Sequence, residues 1–363
     1  MTSPRRVTYV TRKFPPSVGG METLAINTTL ALASRERRSD HLSLGRSNIH
    51  LVWWLPVTGA RMFAQGITDR TRVYLFGDAL AWAALGWIPR LLRIPAFTMV
   101  CGLDVTYENR MYRSVVHAAL RRSPRVLAIS RATLQTAIDA GVAPDRAAVL
   151  TMGVVPSAPE PTTTAPTDAD LRDRIGVSPD ARLLLTTGRL VRRKGVAWFV
   201  ECVMPKLAQD VHYLVVGSGE DRELIERLAR EHGVSERVHL LGRVSEPCRR
   251  KLTAQADLFI QPNIEVAGDM EGFGLVVVEA AQAGLVPVAA RLEGLQDAIV
   301  DGETGYLVDS GDAEAWARRL TELLGSAELS HQAEKFAVAA RARYSVERMG
   351  EELDRHVSEV GER

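Results

Sequence analysis

Leu183-Leu-Leu-Thr-Thr-Gly-Arg-Leu-Val-Arg-Arg-Lys-Gly195 is the stretch on which the fold turns. Leu183–Thr187 is short, apolar and β-branched at its end, as a buried strand should be, and a helical pattern runs from about Val196 to Leu207. Between them a turn bounded by Gly188 and Gly195 carries Arg189, Arg192, Arg193 and Lys194. A strand, a turn and a helix in this order make a βα unit, and the turn beyond the carboxyl end of such a strand is where open parallel sheets bind ligands. Further along, Glu271-Gly-Phe-Gly-Leu-Val-Val-Val-Glu279 supplies the complementary chemistry. Gly272 and Gly274 let backbone approach a ligand closely, and the helix expected after them offers free N–H groups to a phosphate. The two carboxylates then have hydroxyls to read. Cations, amides and carboxylates together suit a sugar diphosphate.

The same alternation fills both halves. The first half reads as strand Val7–Val10, helix Met21–Ser34, strands near His41–Leu44 and His50–Leu55, and helix Gly59–Gln65. It continues as strand Arg72–Phe76, helix Asp78–Leu92, strand Ala96–Val100, helix Met111–Arg122, strand Arg125–Ile129 and helix Ala132–Ala140. The second half has strands at Leu183–Thr187, His212–Val216, Val238–Leu241, Asp257–Ile260, Val286–Ala289 and Gly305–Val308. Short apolar strands spaced by amphipathic helices predict an α/β chain with a parallel sheet in each half, covered on both faces. The Pro/Thr-rich run from Pro156 to Pro166 has little to bury. The expected organisation is therefore an N-terminal domain at 1–155, a linker at 156–170, a second domain at 171–344 and a C-terminal helix at 345–363 packing back across the interdomain region.

Charge and composition narrow the function classes. The 363 residues carry 45 basic and 44 acidic side chains, a formal net charge of +1, so bulk electrostatics does not argue for a nucleic-acid partner. Basic residues are almost all Arg; the lysines are Lys13, Lys194, Lys206, Lys251 and Lys335, which makes a lysine inside the cationic turn less incidental. Cys101, Cys202 and Cys248 are odd in number and scattered, with neither a disulfide framework nor metal-ligand spacing. A reducing cytoplasm fits them. Met1–Arg6 lacks an apolar leader, and the longest apolar run, Ala79–Pro89, is too short to span a bilayer and reads as a buried helix.

Six segments in order, Phe14-Pro-Pro-Ser-Val-Gly-Gly-Met-Glu22, Val100-Cys-Gly-Leu-Asp104, Ala128-Ile-Ser130, Gly188–Lys194, Val216-Gly-Ser-Gly219 and Gly268–Glu279, give the chain a family likeness along nearly its whole length. It resembles a retaining glycosyltransferase of family 4, with the GT-B fold of two Rossmann-like domains and a donor/acceptor cleft between them. The resemblance implies a nucleotide-sugar donor as co-substrate, a UDP-sugar first and a GDP-sugar next, with no metal and no other cofactor. It implies a donor in the second domain, and in the first an acceptor that is a small molecule, a lipid-linked precursor or a saccharide.

By that resemblance Arg189 and Lys194 grip the diphosphate and offset charge on the leaving group, Glu271 contacts the donor sugar, Glu279 accepts from the ribose hydroxyls, and Phe273 and Leu275 line the same turn. Read as residues alone, the cations equally suit an exposed turn, as Arg192 and Arg193 do, and the carboxylates a cap and a solvated helix face. Glu279, however, sits in an otherwise apolar helix, where a charge needs a partner. Gly19 and Gly20 stand where a backbone meets a phosphate or simply where a loop enters a helix. Gly217 and Gly219 superficially match a dinucleotide fingerprint, but Arg222 occupies its third glycine position.

Cys101 departs from the family, which commonly has His before Gly102-Leu-Asp104; a thiol is smaller and a weak hydrogen-bond partner. Tolerated variation, altered sugar specificity and lowered activity all follow naturally. Asp104 suits either an acceptor hydroxyl or a turn. From Tyr107 to Arg125, five arginines alternate with Met111, Tyr112, Val115, Val116 and Leu120, which fits contact with an anionic lipid-linked acceptor or membrane surface, or a solvated helix face. The competing functions are a nucleotide-sugar epimerase of the same fold and a sugar-nucleotide-binding protein with weakened catalysis.

Overall fold

The computed structural model describes residues 5–17, 19–35, 38–156 and 176–361. Of the linker expected at 156–170 only Pro156 is among them; 157–170 lie outside the described residues, as does Val18 of the first motif. Contacts divide the chain into two units. One takes the residues up to Val155, the loop Gly268–Phe273 and the stretch from Tyr344 onward; the other takes Pro156–Ala267 and Gly274–Arg343.

The first unit holds a six-stranded parallel sheet in the order β2-β1-β3-β4-β5-β6, with β1 at Val7–Thr11, β2 Ser39–Ser43, β3 Val73–Phe76, β4 Ala96–Val100, β5 Val126–Ala128 and β6 Ala147–Val149. β1, β3, β4 and β5 are buried throughout, which is why they read as continuous apolar runs rather than alternating ones. Its helices are α1 (Gly20–Ala33), α2 (Leu51–Thr68), α3 (Ala79–Leu85), α4 (Trp87–Leu92), α5 (Leu103–Thr106), α6 (Arg110–Leu120) and α7 (Arg131–Asp139). The C-terminal helix Val346–Gly361 packs on α1, where Gly350 lies against the Ala31 carbonyl and Arg35 pairs with Asp354 at 3.3 Å.

The second unit repeats the design as β12-β11-β10-β7-β8-β9, with β7 at Arg182–Thr187, β8 Val211–Val216, β9 Val238–Gly242, β10 Leu258–Gln261, β11 Val286–Ala290 and β12 Tyr306–Val308, all parallel. Helices α8 (Val196–Cys202), α9 (Arg222–Glu231), α10 (Glu246–Gln255), α11 (Leu275–Gln282), α12 (Leu295–Ala298), α13 (Ala313–Leu324) and α14 (Leu329–Arg343) accompany it. Phe199, Tyr213 and Trp316 are fully buried in its core, with the Phe199 and Trp316 rings edge to face at 5.8 Å.

Three expectations are corrected. The strand expected at His50–Leu55 is helix, continuous with Gly59–Gln65 as α2. Its aromatic and branched residues favour a strand locally, yet they face solvent, and a helix satisfies its backbone without a neighbouring strand. The single helix expected at Asp78–Leu92 breaks at Gly86, over which the Trp82 ring is folded. The helix expected to reach Leu207 stops at Cys202, and Pro205 then sits in a 3-10 turn, where its missing N–H costs nothing. β6, three half-buried residues, escaped the sequence reading because it is too short to show a period.

Candidate functional site

In the second sheet the chain leaves β9 at one edge and returns as β10 on the other side of β7, so the strand order reverses between β7 and β10. Loops leaving adjacent strands on opposite sides open a crevice at their carboxyl ends, and ligands bind there. The loop after β7 is the cationic turn. Its Arg192–Lys194 segment is a 3-10 turn closed by Gly195 at φ 66°, a left-handed conformation glycine adopts freely. A side chain at 195 would also strike the Pro262 carbonyl, and Ile264 donates its N–H to the Arg193 carbonyl at 3.0 Å. The turn after β7 is thus fixed against the loop after β10. Lys194 is 8% exposed, whereas Arg189 projects into solvent.

The loop after β10 ends at Gly274, whose φ of 95° caps α11 and brings Leu275 to its first position. One turn on, Glu279 accepts from Arg249 Nη1 at 3.0 Å, and Arg249 in turn is held by Glu246 at 2.8 Å. Burial pushes the Glu279 carboxyl above its ordinary pKa, opposed by the Arg249 charge. The sequence argument that Glu279 needs a partner from a ligand is therefore corrected: α10 supplies one. Arg249 is the residue sequence reasoning missed. Its spacing from Glu246 was legible, but nothing local pairs residue 249 with 279.

Gly217 and Gly219 follow β8, and side chains there would strike the carbonyls of Gly188 and Leu190. Close packing of the two loops explains both glycines without a dinucleotide.

The first sheet changes direction between β1 and β3. There Arg12, just past β1, donates from Nε to Asp78 Oδ1 at 2.7 Å and from its backbone N–H to Oδ2 at 3.0 Å, and Asp78 also caps α3 through the Ala81 N–H at 2.9 Å. Both side chains are buried. Beside them, after β4, Asp104 accepts the N–H groups of Cys101 at 2.8 Å and Ala79 at 3.1 Å. The turn role thus has direct support, because two backbone amides occupy this carboxyl. Desolvation pushes Asp104 up to about 6 and the Cys101 thiol well above its ordinary value.

The loop Gly268–Phe273 belongs to this same unit. Gly272 lies so close to the Cys101 carbonyl that no side chain fits, Gly102 faces Met270, and the Phe273 ring meets Tyr344 edge-on at 6.0 Å. Two segments singled out in the sequence, 101–104 and 270–272, therefore come together. Glu271, in the second of these segments, is 8% exposed. At the start of α1, Gly19 is extended but a side chain there would crowd the buried Glu22 carboxylate, which accepts from Ser17 Oγ at 3.1 Å, whereas a side chain on Gly20 would meet nothing, so the fold itself does not require the second glycine. In the arginine-rich stretch, Val116 and Leu120 are buried and Met111 and Val115 exposed, while Arg121 bonds the Ala140 carbonyl at 3.1 Å and Arg125 reaches Glu359 at 3.4 Å. These two arginines serve packing. Among the described residues no cluster of metal-ligating side chains occurs, and no helix is long and apolar enough to cross a membrane.

Residues 168–340 match the family model of the glycosyl transferases group 1. This match takes in most of the second unit together with the loop Gly268–Phe273. The chain is 33% identical, over 42% of each sequence, to the lipopolysaccharide core biosynthesis glycosyltransferase LpsE of Rhizobium meliloti. It is likewise 33% identical, over 43% of its own length and 42% of the other, to a GDP-mannose-dependent alpha-(1-6)-phosphatidylinositol monomannoside mannosyltransferase of Mycolicibacterium smegmatis. Matches to such relatives span about half of their length or less. Anabaena HepE, solved in complex with UDP, superposes with a TM-score of 0.74 at 17% identity, covering 98% of this chain and 100% of that one. The two parallel sheets with their helices thus have the GT-B fold.

Proposed function

We propose that the protein is a retaining glycosyltransferase that moves a sugar from a nucleoside-diphosphate donor to an acceptor hydroxyl of a glycolipid, polysaccharide precursor or natural product. The observation that carries this reading is the β7/β10 crevice, where a buried lysine, an exposed arginine and the start of α11 share one sheet end. Arg189 and Lys194 hold the diphosphate and stabilise the charge that grows on it as the glycosidic bond breaks. Glu279, oriented by Arg249, accepts from the ribose hydroxyls; Glu271 reads the sugar ring. Gly19 and Gly20 leave room for the donor phosphates at the start of α1. The departing phosphate takes the acceptor proton, so no separate carboxylate base is required, and the cations do the work a metal would otherwise do.

The donor base follows less directly. HepE is a UDP complex and the mycobacterial relative uses GDP-mannose. We place UDP-sugars first and GDP-sugars next. The same mycobacterial relative acts on a phosphatidylinositol monomannoside, which supports a lipid-linked acceptor here. A cytoplasmic enzyme working at the inner membrane face fits this acceptor.

A thermal-shift screen of UDP- and GDP-sugars tests the reading. The right donor at about a hundred times its Kd adds about 2.7 kcal/mol of stability, and product formation then depends on an added acceptor and survives EDTA. Product released without acceptor points to an epimerase. Donor binding without turnover points to the weakened binding protein, a reading that the buried neutral thiol of Cys101 favours. Loss of transfer in EDTA, restored by Mg²⁺, overturns the metal-independent mechanism.

A further inference from the structure

α2 is amphipathic the wrong way round for a helix of a soluble core. At about 100° per residue, Val52, Trp53, Pro56, Val57, Phe63 and Ile67 fall within an arc of about 140°, and the burial of Thr58, Met62 and Gly66 turns that arc to solvent. Trp53 is 75% exposed and Val52 71%. Gly59 lies on Ile88 and Leu85, which seats α4 alongside, and there Trp87 is 58% exposed and Leu91 64%. Single exposed apolar residues need no explanation, but a contiguous stripe on two neighbouring helices does.

Charge selects what covers it. Residues 41–68 and 79–103 contain no Asp or Glu. Arg61 sits at the edge of the α2 stripe, with Arg90 and Arg93 on and just after α4, and all three are exposed. A second copy related by a two-fold axis would press this cationic rim against itself. An anionic headgroup layer complements it, tryptophan side chains suit the headgroup boundary, and an in-plane helix buries just such an arc.

We propose that the outer face of α2 and α4 docks the protein on an anionic lipid bilayer, Trp53 and Trp87 entering the headgroup boundary and Arg61, Arg90 and Arg93 pairing with lipid phosphates. The proposal does not rest on the transfer reaction, and binding is read with no donor present. The experiment is cosedimentation of the full chain with vesicles of equal parts phosphatidylglycerol and phosphatidylcholine, beside vesicles of phosphatidylcholine alone, with sedimentation velocity run in parallel. We expect binding to the anionic vesicles only, weakened by salt, and lowered at least about tenfold by Trp53→Glu and separately by Val57→Glu. Both side chains point away from the core, and an unchanged melting temperature confirms the fold of each variant. Equal binding to both vesicle types, no vesicle binding at all, unaffected binding in both variants, or a dimer that Trp53→Glu dissolves without vesicle binding would each overturn the proposal.

Discussion

Both sheets are parallel throughout and each has one place where strand order reverses, yet the two places are filled differently. Between β1 and β3, Arg12 and Asp78 satisfy one another in a buried, multiply bonded pair. Between β7 and β10, a turn held by backbone hydrogen bonds carries two exposed arginines, Arg189 and Arg192, and two buried cations, Arg193 and Lys194. Topology therefore provides a crevice in both sheets, but the side chains placed there differ: a buried ion pair fills one, and a cationic turn lines the other.

The strongest test of this contrast is Asp78→Ala, which leaves Arg12 buried beside a lost partner and uncaps α3. Breaking a buried pair on one side costs about 3–5 kcal/mol, to be read by urea denaturation. A loss below about 1 kcal/mol would put the pair in the class of surface ion pairs and erase the distinction.

On the other side of the comparison, Lys194→Ala and Arg189→Ala should lower turnover by about a hundredfold or more while the fold persists. Normal kcat in both variants removes the turn from the proposed chemistry.

A smaller effect tests the first crevice through pH. Asp104 binds its proton more tightly folded than unfolded, so the protonated carboxyl favours the fold and that contribution disappears as pH rises from the ordinary value near 3.8 through about 6. The change amounts to no more than about 3 kcal/mol. Asp104→Asn should flatten this part of the stability profile, and a profile identical to wild type would assign the titration elsewhere.

Least of all, Arg249→Met breaks a pair with Glu279 that water partly reaches, and should cost about 1 kcal/mol of stability or less. If Glu279 accepts from the ribose, the same change disorders it and weakens binding of free nucleoside diphosphate, whereas Glu271→Gln, assigned to the sugar, leaves that binding nearly normal. Calorimetry with UDP or GDP separates the two, and equal weakening by both variants would merge the roles.

The α/β class and most strands were legible in the amino-acid order, since a strand buried on both faces must be apolar throughout and a glycine-bounded turn marks its end. Strand β4 stands at the residues its apolar run predicts, Ala96–Val100. The cationic turn and the carboxylate-bearing helix were legible for the same reason: each is a local pattern. Tertiary structure alone decided which groups meet. That Arg249 reaches Glu279, that Arg12 finds Asp78 and that Gly272 rests on the Cys101 carbonyl are contacts across many residues of chain, set by strand order rather than by spacing. It also decided that Leu51–Leu55 is helix, because an apolar run read as core becomes a strand only where a neighbouring strand can accept its hydrogen bonds, and this run instead turns its apolar side to solvent.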